Sequence, residues 1–405
     1  MPSQFPGVGG QRCPVEVEHL KRFALVTGNY VNVVDGVTLT LHRLVETLES
    51  VGVEVVVVAP DGVNQELDGA SNLIPIPSLA LPIQEGYRLS LGFNPWVTSA
   101  LDEFSPQVVH VATPDLTGWM ATRYARRRQL ALTGTYHTNF ATYLKYWGVV
   151  PSVLTPVAWH LLKRFYAPFD QVFVPTDSLG QDLVNREILA HYGVLARGVD
   201  HDRFHQGQRG PRWRLRYGIG QDELVVLFCA RLVWEKGLRT LVAGLGRLQE
   251  IGPPHRVMVV GDGDQKRWME RQLPEATFTG YLTGDDLARA YANADLFLYP
   301  STTDTFGNVT LEAMASHLPV VGAYAPGTRT LVEPEESGVL VEPDDPEALA
   351  QAAALVLEDA AYRKQLAIGA GRRAKEFRWP EILGGFISEV DEIVGGGALA
   401  QNSKP

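Results

Sequence analysis

Short, nearly continuous apolar runs alternate with segments of helical periodicity, and this alternation leaves the chain few possible folds. In the first half the predicted strands are Phe23–Val26, Glu54–Val58, Val108–Val111, Thr133–Tyr136 and Gln171–Val174. Between the first two, Leu41, Leu44, Val45 and Leu48 recur at helical spacing. Strands that are apolar on both faces and separated by helices predict a parallel sheet covered by helices on both sides.

The same pattern starts again in the second half of the chain. Its predicted strands are Leu224–Phe228, Val257–Val260, Ala276–Thr279, Leu296–Leu298, Pro319–Val321 and Gly338–Val341. Between the halves, Arg197–Phe204 and the polar stretch Gln206–Arg212 form a predicted linker. With 405 residues the chain can build two cores. The sequence therefore predicts an α/β protein with two doubly wound parallel-sheet domains, residues 1–197 and 198–377, and a disordered tail, residues 395–405.

Composition excludes several classes of protein. A net charge of -10 argues against a general nucleic-acid binder. Cys13 and Cys229 form no disulfide framework, and a buried Cys229 fits a reducing compartment. The first twenty residues lack the apolar core of a signal peptide, and runs such as Val55–Pro60 are too short to span a bilayer. We expect a cytoplasmic protein with at most peripheral membrane contact and, since no cluster has metal-ligand spacing, no metal.

The segment Ser301–Val321 carries the most chemical information. It places Asp304 on a loop after a predicted strand and Glu312 inside the next helix, with seven residues between them. Phe306, Gly307 and Asn308 stand at the start of that helix, where unpaired N–H groups carry partial positive charge and suit phosphate or a sugar hydroxyl. Two acids beside such an end can hold two parts of one polar ligand, which predicts a nucleotide-sugar site.

This segment resembles the acid-x7-acid motif of the family 4 retaining glycosyltransferases, which have the GT-B fold of two Rossmann-like domains facing across a cleft. The resemblance implies that Asp304 binds hydroxyls of the donor sugar and that Glu312 binds the ribose. The family usually has Glu where this chain has Asp304, which is one methylene shorter. The resemblance also implies a final helix, residues 378–394, that packs back on the first domain. The alternative is an ordinary strand–loop–helix with solvated carboxylates.

Two cations follow the first predicted strand of the second half. Cys229–Gly237 contains Arg231 and Lys236 and matches the family motif Gly-Arg-Leu-x-x-x-Lys-Gly, with Ala230 in place of the first glycine. Fixed cations stabilise the charge that a diphosphate leaving group gains as the glycosidic bond breaks. The resemblance therefore implies that both side chains bind the diphosphate. The alternative is a pair of surface cations.

Further donor contacts are implied by the resemblance alone. His137, after a predicted strand, is similar to the family histidine that contacts the donor sugar and diphosphate, so the implied catalytic set is His137, Arg231, Lys236 and Asp304. Gly36 is similar to the glycine whose backbone approaches the diphosphate. Tyr281 and Leu282 occupy the region that holds the base. The alternatives are a structural histidine and a tight turn.

Glycine spacing gives two smaller expectations. Gly261-Asp262-Gly263 lacks the third glycine of a dinucleotide-binding loop and is interpreted as a plain turn. His317 stands where a helix-terminating glycine is common, which should affect local backbone shape and not chemistry.

Other stretches suit a lipid acceptor. Ile74–Pro82, a proline-stiffened loop, and Gly86–Arg88 resemble an acceptor-side loop of the sulfolipid-synthase and mannolipid-synthase branch. Trp119–Arg128 and Tyr143–Tyr166 mix basic and aromatic residues, as membrane-facing segments do. The alternative is a half-buried helix with a solvated basic face.

Together these features predict a retaining, metal-independent glycosyltransferase at the cytoplasmic face of the membrane. A hexose or uronic acid would pass from a nucleoside diphosphate sugar, a UDP-sugar being favoured, to a lipid hydroxyl such as that of diacylglycerol or ceramide. The nucleotide sugar is a substrate, so no cofactor is expected. The alternatives are a GDP-mannose-dependent mannosyltransferase, a donor-binding paralogue without transfer activity and a sugar-nucleotide epimerase.

Overall fold

The computed structural model describes residues 13–28, 30, 36–61, 72–80, 88–137 and 151–396. It divides into two compact units. Unit 1 contains Met1–Ala196 together with Pro380–Pro405, and unit 2 contains Arg197–Trp379. Most of the predicted tail, like residues 143–150 of the second basic and aromatic stretch, lies outside the described residues.

Unit 1 is built on a seven-stranded parallel sheet with the order β3-β2-β1-β6-β7-β8-β9. Its strands are β1 Arg22–Val26, β2 Glu54–Pro60, β3 Leu73–Ile76, β6 Val108–Val111, β7 Ala131–Thr135, β8 Gln171–Val174 and β9 Gly193–Val194. A separate antiparallel pair consists of β4 Ser78–Ala80 and β5 Arg88–Ser90. The helices before unit 2 are α1 Gly36–Ser50, α2 Pro95–Phe104, α3 Leu116–Arg128, α4 Pro151–Tyr166 and α5 Asp177–Asn185.

Unit 2 is built on a six-stranded parallel sheet with the order β12-β11-β10-β13-β14-β15. Its strands are β10 Leu224–Cys229, β11 His255–Val260, β12 Thr277–Gly280, β13 Leu296–Tyr299, β14 Val320–Ala323 and β15 Gly338–Val341. Its helices are α6 Pro211–Arg216, α7 Leu238–Ile251, α8 Lys266–Gln272, α9 Gly284–Ala292, α10 Asn308–Ala315, α11 Pro326–Leu331, α12 Pro346–Glu358 and α13 Ala360–Ala374. Short 3₁₀ helices cover Gln206–Gln208 and Trp234–Lys236.

Several helices begin at side chains that satisfy the unpaired N–H groups of the first turn. The N-cap oxygens of Asn94, Asp115, Thr176, Asp345 and Asp359 accept from backbone N–H groups two or three residues later. Proline occupies the first turn of α2 and α12, where its missing N–H costs nothing. The starts of these five helices are therefore set by local sequence. None of the helices in the described ranges combines the length and hydropathy needed to span a bilayer.

The last helix, α14 Trp379–Val394, contributes to the core of unit 1. Phe386 on α14 packs its ring against Phe23, Phe173 and His110. His110 is fully buried on β6, and burial lowers the pKa of its ring to about 3. A neutral histidine among phenylalanines is a structural residue, so the carboxyl-terminal helix and the first strand share one core.

The prediction of two doubly wound parallel sheets is confirmed, and each predicted strand lies within two residues of an observed one. The predicted loop Ile74–Pro82 is wrong in part, because it contains the end of β3 and all of β4. Pro75 belongs to β3, the edge strand of its sheet, and lies opposite Ala59 of β2. A proline is tolerated there because an edge strand has one side without a ladder partner. Residues 81–87, which include most of Gly86–Arg88, lie outside the described residues.

Candidate functional site

Two of the predicted motifs, one with Arg231 and Lys236 and one with Asp304, lie where the strand order of unit 2 reverses. β10 and β13 pair in parallel at the centre of the sheet. After β10 the next strands, β11 and β12, extend the sheet to one side, and after β13 the strands β14 and β15 extend it to the other. Ligands of open parallel sheets bind in the crevice beyond the carboxyl ends of such a strand pair. The segment 230–237 follows β10 and the segment 300–307 follows β13, so the two predicted motifs meet at this crevice.

Lys236 and Asp304 form a largely buried ion pair at this crevice. Lys236 Nζ lies 2.7 Å from Asp304 Oδ1, with the two side chains 10% and 20% exposed. Asp304 Oδ2 accepts from the Tyr299 hydroxyl at 2.7 Å and from Ser301 Oγ at 2.6 Å. Burial alone would raise the pKa of Asp304, but the ammonium charge and these hydrogen bonds outweigh it and lower the pKa. The structure thus holds a fixed, ionised carboxylate beside a fixed cation.

Gly237 allows the two loops to approach this closely. Its φ is +72°, and a Cβ at this position would lie 2.8 Å from the Pro300 carbonyl oxygen. Thr303 Oγ1 also donates to the Glu235 carbonyl oxygen at 3.1 Å. A larger residue at Gly237 would therefore separate Lys236 from Asp304.

Arg231, the second predicted cation, lies in a different environment. Its side chain is 61% exposed and its Nη2 lies 3.2 Å from Glu235 Oε1. Glu235 is 16% exposed, and an ion pair that is open to solvent on the arginine side contributes little to stability. The guanidinium can therefore leave Glu235 for a phosphate at low cost. The i,i+4 spacing of Arg231 and Glu235 was the sequence signal for this partner, and sequence reasoning missed it.

Glu312, the second predicted acid, lies on α10. The Tyr291 hydroxyl on α9 donates to Glu312 Oε2 at 2.9 Å. Burial raises the pKa of Glu312 to about 7, against the lowering effect of this hydrogen bond. Tyr291 and Cys229 are buried beside it, and burial raises the pKa of the Cys229 thiol to about 12. The expectation of a buried Cys229 is confirmed, whereas sequence reasoning missed Tyr291.

The start of α10 holds the predicted trio Phe306, Gly307 and Asn308. Gly307 precedes the first helical residue and no side chain caps the helix. Phe306 is 1% exposed and its ring packs edge-on against Phe377, so its side chain belongs to the core and does not face a ligand. Arg197 Nη1 donates to Asn308 Oδ1 at 3.3 Å, a cation at this helix start that sequence reasoning did not assign.

The structure does not bring every predicted donor residue into this group. Tyr281 is 69% exposed and, with Leu282, follows β12 at the far edge of the sheet, two strands from β10. In unit 1, His137 is buried just after β7, and Gly36 is the first residue of α1. Residues 138–140 and 31–35, beside them, lie outside the described residues. The roles of these four in donor binding stay predictions.

The two glycine expectations have clear structural outcomes. Gly261 and Gly263 have φ of +132° and +154°, and a Cβ on Gly261 would lie 1.9 Å from the Ala230 carbonyl oxygen. This turn is glycine-rich because it packs against the backbone that carries Arg231. His317 adopts a φ of +56° after α10, so it takes the left-handed conformation that a terminating glycine would take.

Comparison with known proteins finds a family model for each half of the chain. The model of Glycosyltransferase Family 4 matches residues 34–203, and that of Glycosyl transferases group 1 matches residues 223–359. The GDP-mannose-dependent alpha-mannosyltransferase of Mycolicibacterium smegmatis is 30% identical over 379 residues, which are 92% of this chain and 98% of the relative. The sulfoquinovosyl transferase SQD2 of Arabidopsis thaliana is 29% identical over 355 residues, 85% of this chain and 68% of the relative.

The fold has close counterparts among solved structures. The sucrose-phosphate synthase of Thermosynechococcus elongatus superposes with a TM-score of 0.74 at 22% identity, covering 93% of this chain and 100% of that one. At this identity the likeness shows a shared two-domain architecture and nothing about substrates.

Proposed function

The chain belongs to the family 4 glycosyltransferases and has their GT-B fold, and from that premise we propose a specific reaction. It transfers a hexose or uronic acid from a nucleoside diphosphate sugar, a UDP-sugar being favoured, to a hydroxyl of a membrane lipid such as diacylglycerol or ceramide. The observation that carries this proposal is the 2.7 Å contact between Lys236 and Asp304. It places the cation that we assign to the diphosphate beside the acid that we assign to the sugar.

We assign the diphosphate, the sugar and the ribose of the donor to side chains of unit 2. The diphosphate binds Lys236 and Arg231, Asp304 accepts from sugar hydroxyls, and Glu312 accepts from the ribose hydroxyls. As the glycosidic bond breaks, its electron pair goes to the diphosphate, and the cations stabilise that charge. The acceptor hydroxyl attacks the anomeric carbon from the face that the diphosphate leaves, which retains configuration. The departing phosphate oxygen takes the acceptor proton, so no protein base is assigned.

A surface of unit 1 supports a lipid acceptor. Leu91, Leu116 and Trp119 are exposed large apolar side chains. Gly92 lies against Leu116, and the Trp119 ring packs edge-on against Phe165 of α4 at 5.2 Å, so these residues are neighbours. We call the exposed sides of α3 and α4, with Leu91, the basic apolar face. Monomeric soluble proteins rarely expose contiguous apolar side chains without a binding role.

The charge of the basic apolar face fits an anionic bilayer. α3 and α4 carry no Asp or Glu and hold six cations, Arg123, Arg126, Arg127, Arg128, Lys163 and Arg164. Arg128 and Lys163 are paired with Asp102 and Glu187. The chain as a whole has a net charge of -10, so this concentration of cations is local. Exposed apolar and aromatic side chains beside arginines are the combination that anchors proteins at a lipid interface.

A GDP-mannose donor is the second candidate. It is supported by the relative named as a GDP-mannose-dependent alpha-mannosyltransferase, which this chain matches over nearly its full length. The ion pair of Lys236 and Asp304 contacts parts that UDP-sugars and GDP-sugars share, so both donors suit it.

One incubation separates the candidates. The protein is mixed with UDP-hexoses, UDP-uronic acids or GDP-mannose, with and without vesicles that contain diacylglycerol or ceramide, and the products are identified by mass spectrometry. Nucleoside diphosphate together with a new glycolipid supports the proposal and identifies the donor. Thermal stabilisation by a donor without any product indicates a binding paralogue, and a changed sugar nucleotide without acceptor indicates an epimerase. No product and no stabilisation with any donor would refute the proposed function.

A further inference from the structure

Tyr291 holds the acid that we assign to the nucleotide. Its hydroxyl donates to Glu312 Oε2 at 2.9 Å, and the side chain has no exposed surface. Phe204 and Phe297 pack edge-on against its ring, with centroids 5.9 and 5.8 Å away. These contacts leave the hydroxyl one position, so the hydrogen bond to Glu312 is built into the fold of unit 2.

We propose that Tyr291 is a positioning residue that fixes the Glu312 carboxylate for the ribose. This inference rests on the proposed function, because it assumes that Glu312 binds the donor nucleotide. A ribose presents two adjacent hydroxyls, and an ionised carboxylate accepts from both, whereas a protonated one loses an acceptor site. With one oxygen held by Tyr291, the carboxylate cannot rotate away from a ligand.

The surroundings of Glu312 make its charge sensitive to this one bond. Burial raises its pKa to about 7, and the Tyr291 hydrogen bond acts in the opposite direction. Within the described ranges, the titratable side chains that act on it are Tyr291 on α9 and Cys229 at the end of β10. Burial raises the pKa of both above its ordinary value, so both are neutral near pH 7. Glu312 is therefore the member of this group that titrates in the physiological range.

The titration of Glu312 fixes the direction in which nucleotide affinity should change with pH. Nucleotide binding requires ionised Glu312, so affinity is constant above its pKa and falls by up to tenfold per pH unit below it. Tyr291→Phe keeps the ring and removes the hydroxyl that lowers this pKa. The pKa of Glu312 then rises, and the loss of affinity starts at a higher pH than in the wild type. A purely structural role of Tyr291 would leave this starting point unchanged.

Calorimetric titration with UDP and GDP between about pH 5.5 and 8.5 tests the inference. We expect Tyr291→Phe to weaken nucleotide binding about tenfold at pH 7, the usual loss of one hydrogen bond to a charged group. Its affinity should also decline at higher pH than that of the wild type. Glu312→Gln removes the contribution of the protein, so the pH dependence that remains comes from the nucleotide phosphates.

Tyr362→Phe is the matched control. Tyr362 on α13 donates its hydroxyl to Glu335, so this variant loses the same kind of bond elsewhere in unit 2. It should bind nucleotides as the wild type does. Wild-type affinity and an unchanged pH profile in Tyr291→Phe would overturn this inference but leave the proposed function standing. If that variant fails to fold, a Glu312→Gln protein with the wild-type pH profile would overturn it equally. A wild type that binds neither UDP nor GDP would refute the proposed function as well.

Discussion

Arg231 and Lys236 belong to one motif, but Arg231 is exposed and Lys236 is largely buried. Substituting Arg231 should therefore change the reaction rate without a large change in stability, whereas substituting Lys236 should change both. Arg231 is exposed beside Glu235, so Arg231→Ala should cost less than about 1 kcal/mol of folding free energy. It should nevertheless lower turnover about 10²- to 10³-fold, the usual effect of removing one donor to a developing negative charge. Initial rates and thermal melts measure both effects.

Arg239→Ala is the control for this prediction. Arg239 is an exposed arginine in the first turn of α7, just after this segment, and its guanidinium stacks on Trp234 at 4.5 Å. It should keep wild-type turnover. Unchanged turnover in Arg231→Ala would show that this side chain does not act on the diphosphate.

Lys236 and Asp304 should affect stability as well as rate. Lys236→Met leaves the Asp304 carboxylate largely buried without its cation, which typically costs about 3 to 5 kcal/mol. Adding Asp304→Asn removes the unpaired charge, so the double variant should regain much of this loss while it remains inactive. Urea unfolding of the two proteins measures the difference. A double variant as unstable as Lys236→Met would show that the pair carries no such coupling.

At the scale of elements, the hydrogen bonds between Asp391 of α14 and the backbone just before β1 give a separate prediction. Asp391 accepts from the backbone N–H groups of Glu18, His19 and Leu20 at 3.2, 2.9 and 2.6 Å. Asp391→Ala leaves these donors without a partner and should destabilise the protein by about 2 to 4 kcal/mol. Urea unfolding at neutral pH measures the loss. Glu392→Ala, an exposed neighbour, should have little effect.

The same carboxylate gives a pH dependence with a definite sign. Burial alone would raise the pKa of Asp391, but the three backbone N–H groups outweigh it and lower the pKa. A depressed pKa adds stability above the unfolded value and loses it as the pH falls through the folded value. The stability difference between wild type and Asp391→Ala should therefore shrink below about pH 4. A difference that persists in acid would mean that burial alone is responsible.

Elements were easier to predict from the sequence than the contacts between them. The strands of both sheets follow from apolar runs, because strands buried on both faces leave that pattern. β3 was missed because Pro75 argues against a strand unless its edge position is known. The charged residues of the site follow from motif spacing. Tyr291 and Tyr299 could not be found this way. In the sequence each looks like an ordinary core tyrosine, and only the folded structure shows that its hydroxyl contacts a carboxylate of the site.

At the scale of the whole molecule, charge is unevenly distributed, and this predicts which surface would bind a bilayer under the proposed function. The chain has a net charge of -10, so an anionic membrane should repel it except at the basic apolar face. Arg123 and Arg127 lie exposed on α3 beyond Trp119. Each arginine near an anionic surface contributes about 1 kcal/mol. Replacing two of these arginines with glutamate, which reverses their charge, should therefore weaken binding to phosphatidylserine vesicles at least about 30-fold.

Sedimentation with vesicles at low and high salt measures this effect. Arg123→Glu/Arg127→Glu should lose binding, and Arg212→Glu/Arg267→Glu, the same charge change on exposed sites of unit 2, should lose far less. Trp119→Ala should weaken binding at every salt concentration, because apolar insertion is not screened as charge is. Both double variants would keep turnover on a short-chain acceptor in solution. Equal losses in the two double variants would mean that net charge, and not this face, governs the contact, and the acceptor would then have to be sought away from the membrane.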